Sequence, residues 1–187
     1  MPNGSSMKKH LLAFVDTETT GLDVDKHELI EIGCVIARQE WTDGKIKLIP
    51  EKEFEVKIKP DRIGDADPVA LRVNGYNEGD WIFAHGLKEA MALFSEVTKD
   101  AIFISHNLSF DAGFIDKAFR QTGVPNLMHY PRIDTISLAF ARLHNTEDLK
   151  YSLHALSEHF GVKNPNAHTA LSDARTLATL YEKIMQS

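Results

Sequence analysis

The stretch FVDTETTGLD, residues 14–23, ends an apolar run on two acids, Asp16 and Glu18, followed by threonines and a glycine. On a β-strand, residues i and i+2 point to the same face, so both carboxylates can aim at one point just past the strand's end. Two carboxylates that close raise each other's pKa unless a cation neutralises them. Taken alone, the pair also fits a plain turn, with Thr19, Thr20 and Gly21 supplying the turn chemistry. Two further stretches change that balance. SHNLSFDAGF (105–114) puts Asp111 in the first turn of an expected helix behind a buried strand, where a carboxylate also gains from the helix dipole, with Ser109 as the expected cap. NAHTALSDARTLATLY (166–181) puts His168 five residues before Asp173. On one continuous helix five residues turn through about 140°, so the two would not share a face. His168 is therefore expected on the loop before the helix, and Asp173 about one turn inside it.

Four acids and one histidine form a set that solvent decoration explains poorly. Hard oxygen donors suit Mg²⁺ or Mn²⁺, whereas zinc favours several His or Cys ligands. Two such ions roughly 3.5–4 Å apart are the usual device for in-line phosphodiester hydrolysis, because attacking and leaving oxygens both need charge stabilisation. The attacking water must also lose a proton. A histidine that titrates near neutrality, on a loop beside the acids, is a natural base for that step.

The elements that must position these groups read as one α/β domain. LLAFVD (11–16), LIEIGCVIAR (29–38) and EFEVKIKP (53–60) have strand character and suggest an antiparallel meander, with TDGKIKLIPE as an irregular connection. The second half interleaves helices, expected over 86–98, 109–123, 152–161 and 169–185, with short strands at 101–106 and 132–135. That order implies parallel strands added to the meander, hence a mixed sheet with helices on its faces. Residues 1–7 are expected to be a flexible lead, and 8–187 one domain.

Composition narrows the class further. The chain has 187 residues, 43% hydrophobic and 26% charged, enough for a sizeable single core. Its net charge of -6 argues against a broad basic surface for nucleic acid, but not against a nuclease whose acids are filled by cations. The sequence shows neither a signal peptide nor the ~18 apolar residues of a membrane span, so a soluble, cytoplasmic protein is expected. The single cysteine, Cys34, lies in an apolar run and reads as a packed small hydrophobe.

The motifs DTETTGL, HNLSFDAGF and HTALSDA, in that order, closely resemble the three exonuclease motifs of the DnaQ-like (DEDDh) 3'-to-5' exonucleases. That family includes the polymerase III proofreading subunit and RNase T. The resemblance spans about residues 11–185 and implies a ribonuclease H-like five-stranded sheet of order 3-2-1-4-5. By motif position, Asp16, Glu18, Asp111 and Asp173 would bind two divalent ions, Mg²⁺ or Mn²⁺, with Asp16 bridging both, and His168 would be the general base. Thr17, Thr19 and Thr20 resemble residues that contact the 3'-terminal nucleotide, Leu22 a wedge beside its base, and Asn107 a support of the cleft. The turn Val73, Asn74, Gly75, Tyr76 stands where the family stacks on a terminal base, with Asn74 in the RNase T manner and Tyr76 as an aromatic surface.

The resemblance implies a 3'-to-5' exonuclease acting on single-stranded ends, with DNA favoured, releasing nucleoside 5'-monophosphates. An exoribonuclease like RNase T or oligoribonuclease, a ribonuclease H-type endonuclease, and a nucleic-acid or polymerase-binding module remain open alternatives. The partners implied are a single-stranded 3' end and a DNA polymerase. The chain stops soon after the last expected helix, without the tail by which the proofreading subunit joins its polymerase, so a stand-alone enzyme or an excised domain is expected. Trp41, on the long connection at 38–56, is expected to serve hairpin packing.

Overall fold

A computed structural model describes residues 6–187. Five strands, β1 (Leu12–Thr19), β2 (Leu29–Thr42), β3 (Lys45–Lys57), β4 (Ile102–Ser105) and β5 (His129–Asp134), form one sheet of order β3-β2-β1-β4-β5. β1, β2 and β3 pair antiparallel, while β4 joins β1 and β5 joins β4 in parallel. Among the described residues six α-helices accompany them: α1 (Pro68–Val73), α2 (Leu87–Val97), α3 (Leu108–Thr122), α4 (Thr135–Leu143), α5 (Leu153–Phe160) and α6 (Ala170–Gln186). The expected mixed sheet is thus present. Among the described residues no helix is long and apolar enough to cross a membrane.

The alternation of β1 sorts its side chains between two cores. Ala13 and Val15 face α2 and α3, packing with Ile32, Cys34, Phe94 and Phe114. Leu12 and Phe14 face α6, packing with Val35, Ala174, Leu177 and Tyr181. Cys34 is buried in the first core, and burial pushes its thiol pKa up, so it is the packed hydrophobe expected of it.

Three local readings are corrected. The connection between β2 and β3 is a tight turn at Asp43 and Gly44, both with positive φ (51° and 78°), so the hairpin extends far beyond the strand expected at 53–60. This is the geometry that an Asp-Gly pair favours. Pro50 sits on the edge strand opposite Ala37, where the register of β2 and β3 shifts and a missing N–H is tolerated. The second correction is α4, a helix not expected after the short strand at 132–135; Asp134 caps it by accepting from Ile136 N–H at 3.0 Å. The third is the start of α3: Asn107, not Ser109, holds the N-cap position, and the Ser109 hydroxyl donates to Asn107 Oδ1 at 3.1 Å. Of the expected lead, residues 1–5 lie outside the described residues. Ser6 caps a short 3-10 turn (Met7–Lys9), and Gln39 Nε2 donates to Met7 O at 2.7 Å. Trp41 does pack within the hairpin region, its indole donating to Gln39 Oε1 and its ring covered by Lys8.

α6 is pinned to the meander along its length. Arg175 makes a bidentate pair with Glu53, Glu182 Oε2 accepts from Leu48 N–H, and Gln186 Nε2 donates to Ile46 O. At its start the helix backbone lies directly on Gly33 of β2: a Cβ there would come within 2.1–2.3 Å of backbone atoms of Ala170 and Leu171. We expect Gly33→Ala to force α6 off the sheet, at a cost of about 2 kcal/mol or more. A urea midpoint equal to that of the wild type contradicts this close packing.

Candidate active site

The ends of β1, α3 and α6 converge at one place. Cross-strand pairing sets Asp16 against Gly33 and Glu18 against Glu31, so all four positions share the α6 face of the sheet. Asp173, in the first turn of α6, faces the same spot. One carboxylate oxygen from each of Asp16, Glu18 and Asp173 lies within 4.8 Å of the others. Thr17 points to the opposite face and donates to Asp111 Oδ1 of α3 at 2.8 Å. The fourth acid therefore reaches the site from the other side of β1. It is not part of the three-oxygen cluster, although its charge acts on both Asp16 and Glu18.

Electrostatics here are uncompensated. Burial, followed by the charges of Asp111, Asp173, Glu18 and Glu31, raises the Asp16 carboxyl well above the usual range. Burial and then Glu31 push Glu18 up to about 8, and burial holds Asp111 at about 7 against the Thr17 hydroxyl, which lowers it. Every charged group shifting Asp16 and Glu18 is itself an acid. Such a set is stable as anions only around bound cations. All-oxygen donors fit hard divalent ions, so the residues present suit the metal that the motifs imply.

His168 stands on the loop before α6, as expected, in a left-handed conformation (φ 69°) and exposed. Its backbone N–H donates to Asp173 Oδ2 at 3.0 Å, while Asn164 Nδ2 donates to Oδ1 of the same carboxylate. Ser172 Oγ donates in turn to Asn164 Oδ1 at 2.9 Å. Asp16, Asp173, His168 and Asn164 line one cavity of about 500 Å³, closed on its far side by α5 through Leu153, His154, Ser157 and Glu158.

The remaining residues singled out by motif surround the end of β1. Thr17, Thr19 and Thr20 are buried, and their hydroxyls serve the fold: Thr19 donates to Gly21 O, and Thr20 Oγ1 accepts from Glu28 N–H. Leu22 is 79% exposed and Val73 51%, both on the surface around these threonines. Asn74 Nδ2 donates to Thr19 O at 3.0 Å, tying the turn after α1 to the end of β1. One face of the Tyr76 ring leans on buried Trp81, with centroids 4.9 Å apart. Two polar residues of the site escaped the sequence reading. Glu31 gave a faint signal, an acid inside an apolar strand at the same parity as Gly33; Asn164, in a polar loop, gave none.

These acids make the metal-free fold sensitive to pH. A carboxyl whose pKa is raised on folding keeps a proton that the unfolded chain has already lost, so stability falls as pH rises between the two values. For Glu18 that window runs from the ordinary value of 4.5 to about 8, and for Asp111 from 3.8 to about 7. We expect the melting temperature of chelator-treated protein to fall from about pH 5 to about pH 8.5, and millimolar Mg²⁺ or Mn²⁺ to restore it at the alkaline end. A flat profile, or no rescue by either ion, contradicts a cluster of uncompensated acids.

Known proteins resemble this chain in sequence and in fold. The exonuclease family model RNase_T matches residues 13–181. The 3'-5' exonuclease DinG of Staphylococcus epidermidis is 29% identical over 174 residues, covering 93% of this chain and 18% of its own length. The PolC-type DNA polymerase III of Staphylococcus haemolyticus is 29% identical over 185 residues, covering 99% of this chain and 12% of its own. The chain thus spans less than a fifth of either relative. Escherichia coli exonuclease I, in a complex with a dT13 oligonucleotide, superposes with a TM-score of 0.74 at 16% identity, over 92% of this chain and 40% of that one. That likeness is one of fold. With the family model covering the sheet from β1 to α6 and all four acids, the chain belongs to the RNase T exonuclease family.

Proposed function

We propose that this domain is a metal-dependent 3'-to-5' exonuclease that hydrolyses phosphodiester bonds at the 3' end of single-stranded nucleic acid, DNA by preference, and releases nucleoside 5'-monophosphates. The observation that carries this reading is the convergence of the Asp16, Glu18 and Asp173 carboxylates, with Asp111 behind Asp16, where every charge that shifts Asp16 and Glu18 belongs to another acid. Family membership and the DinG likeness support the reaction class, and the oligonucleotide complexes of exonuclease I support a single-stranded substrate. The PolC-type likeness supports work beside a DNA polymerase.

Asp16, Glu18, Asp111 and Asp173 are the residues that would hold two divalent cations, Mg²⁺ or Mn²⁺. Such ions supply charge stabilisation for the attacking and leaving oxygens of an in-line displacement. The protein's own groups do the rest. His168 accepts the proton of the attacking water, a role that fits its exposed place on the cavity shared with Asp16 and Asp173. Asp173 holds the His168 backbone N–H, so the base is tied to the acid cluster itself. Leu22 and Val73 offer apolar surface for the terminal base, and the backbone around Thr17, Thr19 and Thr20 offers polar groups for its sugar and phosphate. Asn107 supports the cleft at the start of α3, Asn74 fixes the turn on that rim, and the partly exposed ring of Tyr76 is its stacking surface.

The test is degradation of matched single-stranded DNA and RNA, each labelled at the 5' end, with Mg²⁺ or Mn²⁺ and with chelator. A metal-dependent ladder that shortens from the 3' end, faster on DNA, is expected. Faster loss of RNA identifies an exoribonuclease, internal fragments an endonuclease, and no cleavage a binding module. Asp16→Asn and Asp173→Asn should abolish hydrolysis. His168→Ala should lower kcat by on the order of 10²- to 10⁴-fold, the usual contribution of a general base, with metal affinity largely kept. Activity surviving in both Asn variants contradicts the metal assignment, and a negligible loss in His168→Ala removes the histidine from the mechanism.

A further inference from the structure

Glu31 is an acid 4% exposed, inside an otherwise apolar strand. Buried carboxylates need a partner. Its cross-strand neighbour in β3, Lys57, sends its ammonium over the Trp81 ring, 4.1 Å from the centroid. The partner of Glu31 is instead the backbone N–H of Ala170, which Oε1 accepts at 3.0 Å.

That donor is the first residue of α6. The first four N–H groups of a helix lack partners within it, and a side chain at the N-cap usually takes one. Thr169, at the N-cap of α6, makes no such bond, and Ala170 is fully buried, out of reach of water. The cap of this helix is supplied from the sheet, by a residue 139 positions away in the chain. Gly33, two residues along β2 on the same face, lets the backbone of Ala170 and Leu171 rest against the strand at that point. The helix start is thus located in two ways, by steric contact at Gly33 and by a hydrogen bond at Glu31. One turn further on stands Asp173, and just before it the His168 loop that Asp173 holds.

We propose that Glu31 is a positioning residue of the nuclease site: its carboxylate fixes the first turn of α6, and with it Asp173 and His168, against Asp16 and Glu18. This rests on the nuclease reading above. Glu31 does so as a hydrogen-bond acceptor of the right length; its charge is not what the site uses.

Two conservative variants separate reach from charge. Glu31→Gln keeps an acceptor oxygen at the same distance and removes the charge. Glu31→Asp keeps the charge and shortens the reach by one carbon. Both are compared with wild type for kcat and KM on a 5'-labelled single-stranded oligonucleotide, for Mn²⁺ affinity without substrate by calorimetry, and for melting temperature. Glu31→Asp should lose about 10- to 100-fold in kcat and in Mn²⁺ affinity, the usual effect of disturbing a group that orients metal ligands, with KM nearly unchanged. Glu31→Gln should stay within about threefold of wild type in both. Loss in Glu31→Gln, wild-type behaviour in Glu31→Asp, or a fall in melting temperature that accounts for the whole loss each overturns the proposal. If the wild-type chain cuts neither DNA nor RNA, the nuclease reading fails, and the Mn²⁺ affinities alone then decide on Glu31.

Discussion

Like charges buried together at the end of β1 are the constraint on which the rest of this structure depends. Asp16, Glu18 and Asp173 gather in one place, Asp111 and Glu31 stand close enough to act on the first two, and among the described residues every charge that shifts Asp16 and Glu18 is negative. A fold does not collect that much repulsion for its own stability. The surroundings show what holds it: a continuous β1–β2 ladder under the first two acids, an apolar core on each face, and α6 anchored to the meander by Arg175, Glu182 and Gln186. The hydrophobic burial of two faces supplies the stability against which the acids are set.

The two-sided nature of β1 divides the labour. Residues of one parity, Asp16 and Glu18, meet α6; the residue between them, Thr17, meets α3 and steadies Asp111. Four carboxylates are brought together by one strand end and two helix starts on opposite faces, so none needs a long or mobile loop. The histidine is the exception. It sits on a loop in a left-handed conformation, and its position relative to the acids depends on hydrogen bonds to Asp173.

Much of this was legible in the sequence because it is carried by short-range periodicity. Two acids at i and i+2 on a strand must share a face, and a histidine five residues before a helical acid must lie off that helix's face; both hold in the structure. The mixed character of the sheet followed from three strands and then an interleaved half; its order came from the family resemblance alone. What the sequence hid was of two kinds. Some features have a local signal that their surroundings obscure: the Asp43-Gly44 pair favours a tight turn, but it stands in a polar stretch that also reads as an irregular connection. Others have no local signal. Nothing near Glu31 indicates that its partner is Ala170, and Asn164 looks like any polar loop residue until the loop folds back onto Asp173. Tertiary contacts between distant segments set these roles, and one sequence does not display such pairings.

The distance along the chain between the halves of the site has a consequence for biosynthesis. Asp16 and Glu18 leave the ribosome first, and the acid and histidine that complete the cluster follow more than 140 residues later. Contacts that close so large a loop form late and together with the rest of the sheet. An incomplete or half-folded copy therefore holds the first two acids without the others. A site completed only as α6 docks therefore checks its own assembly: until that helix seats against the sheet, Asp173 and His168 do not stand beside Asp16 and Glu18.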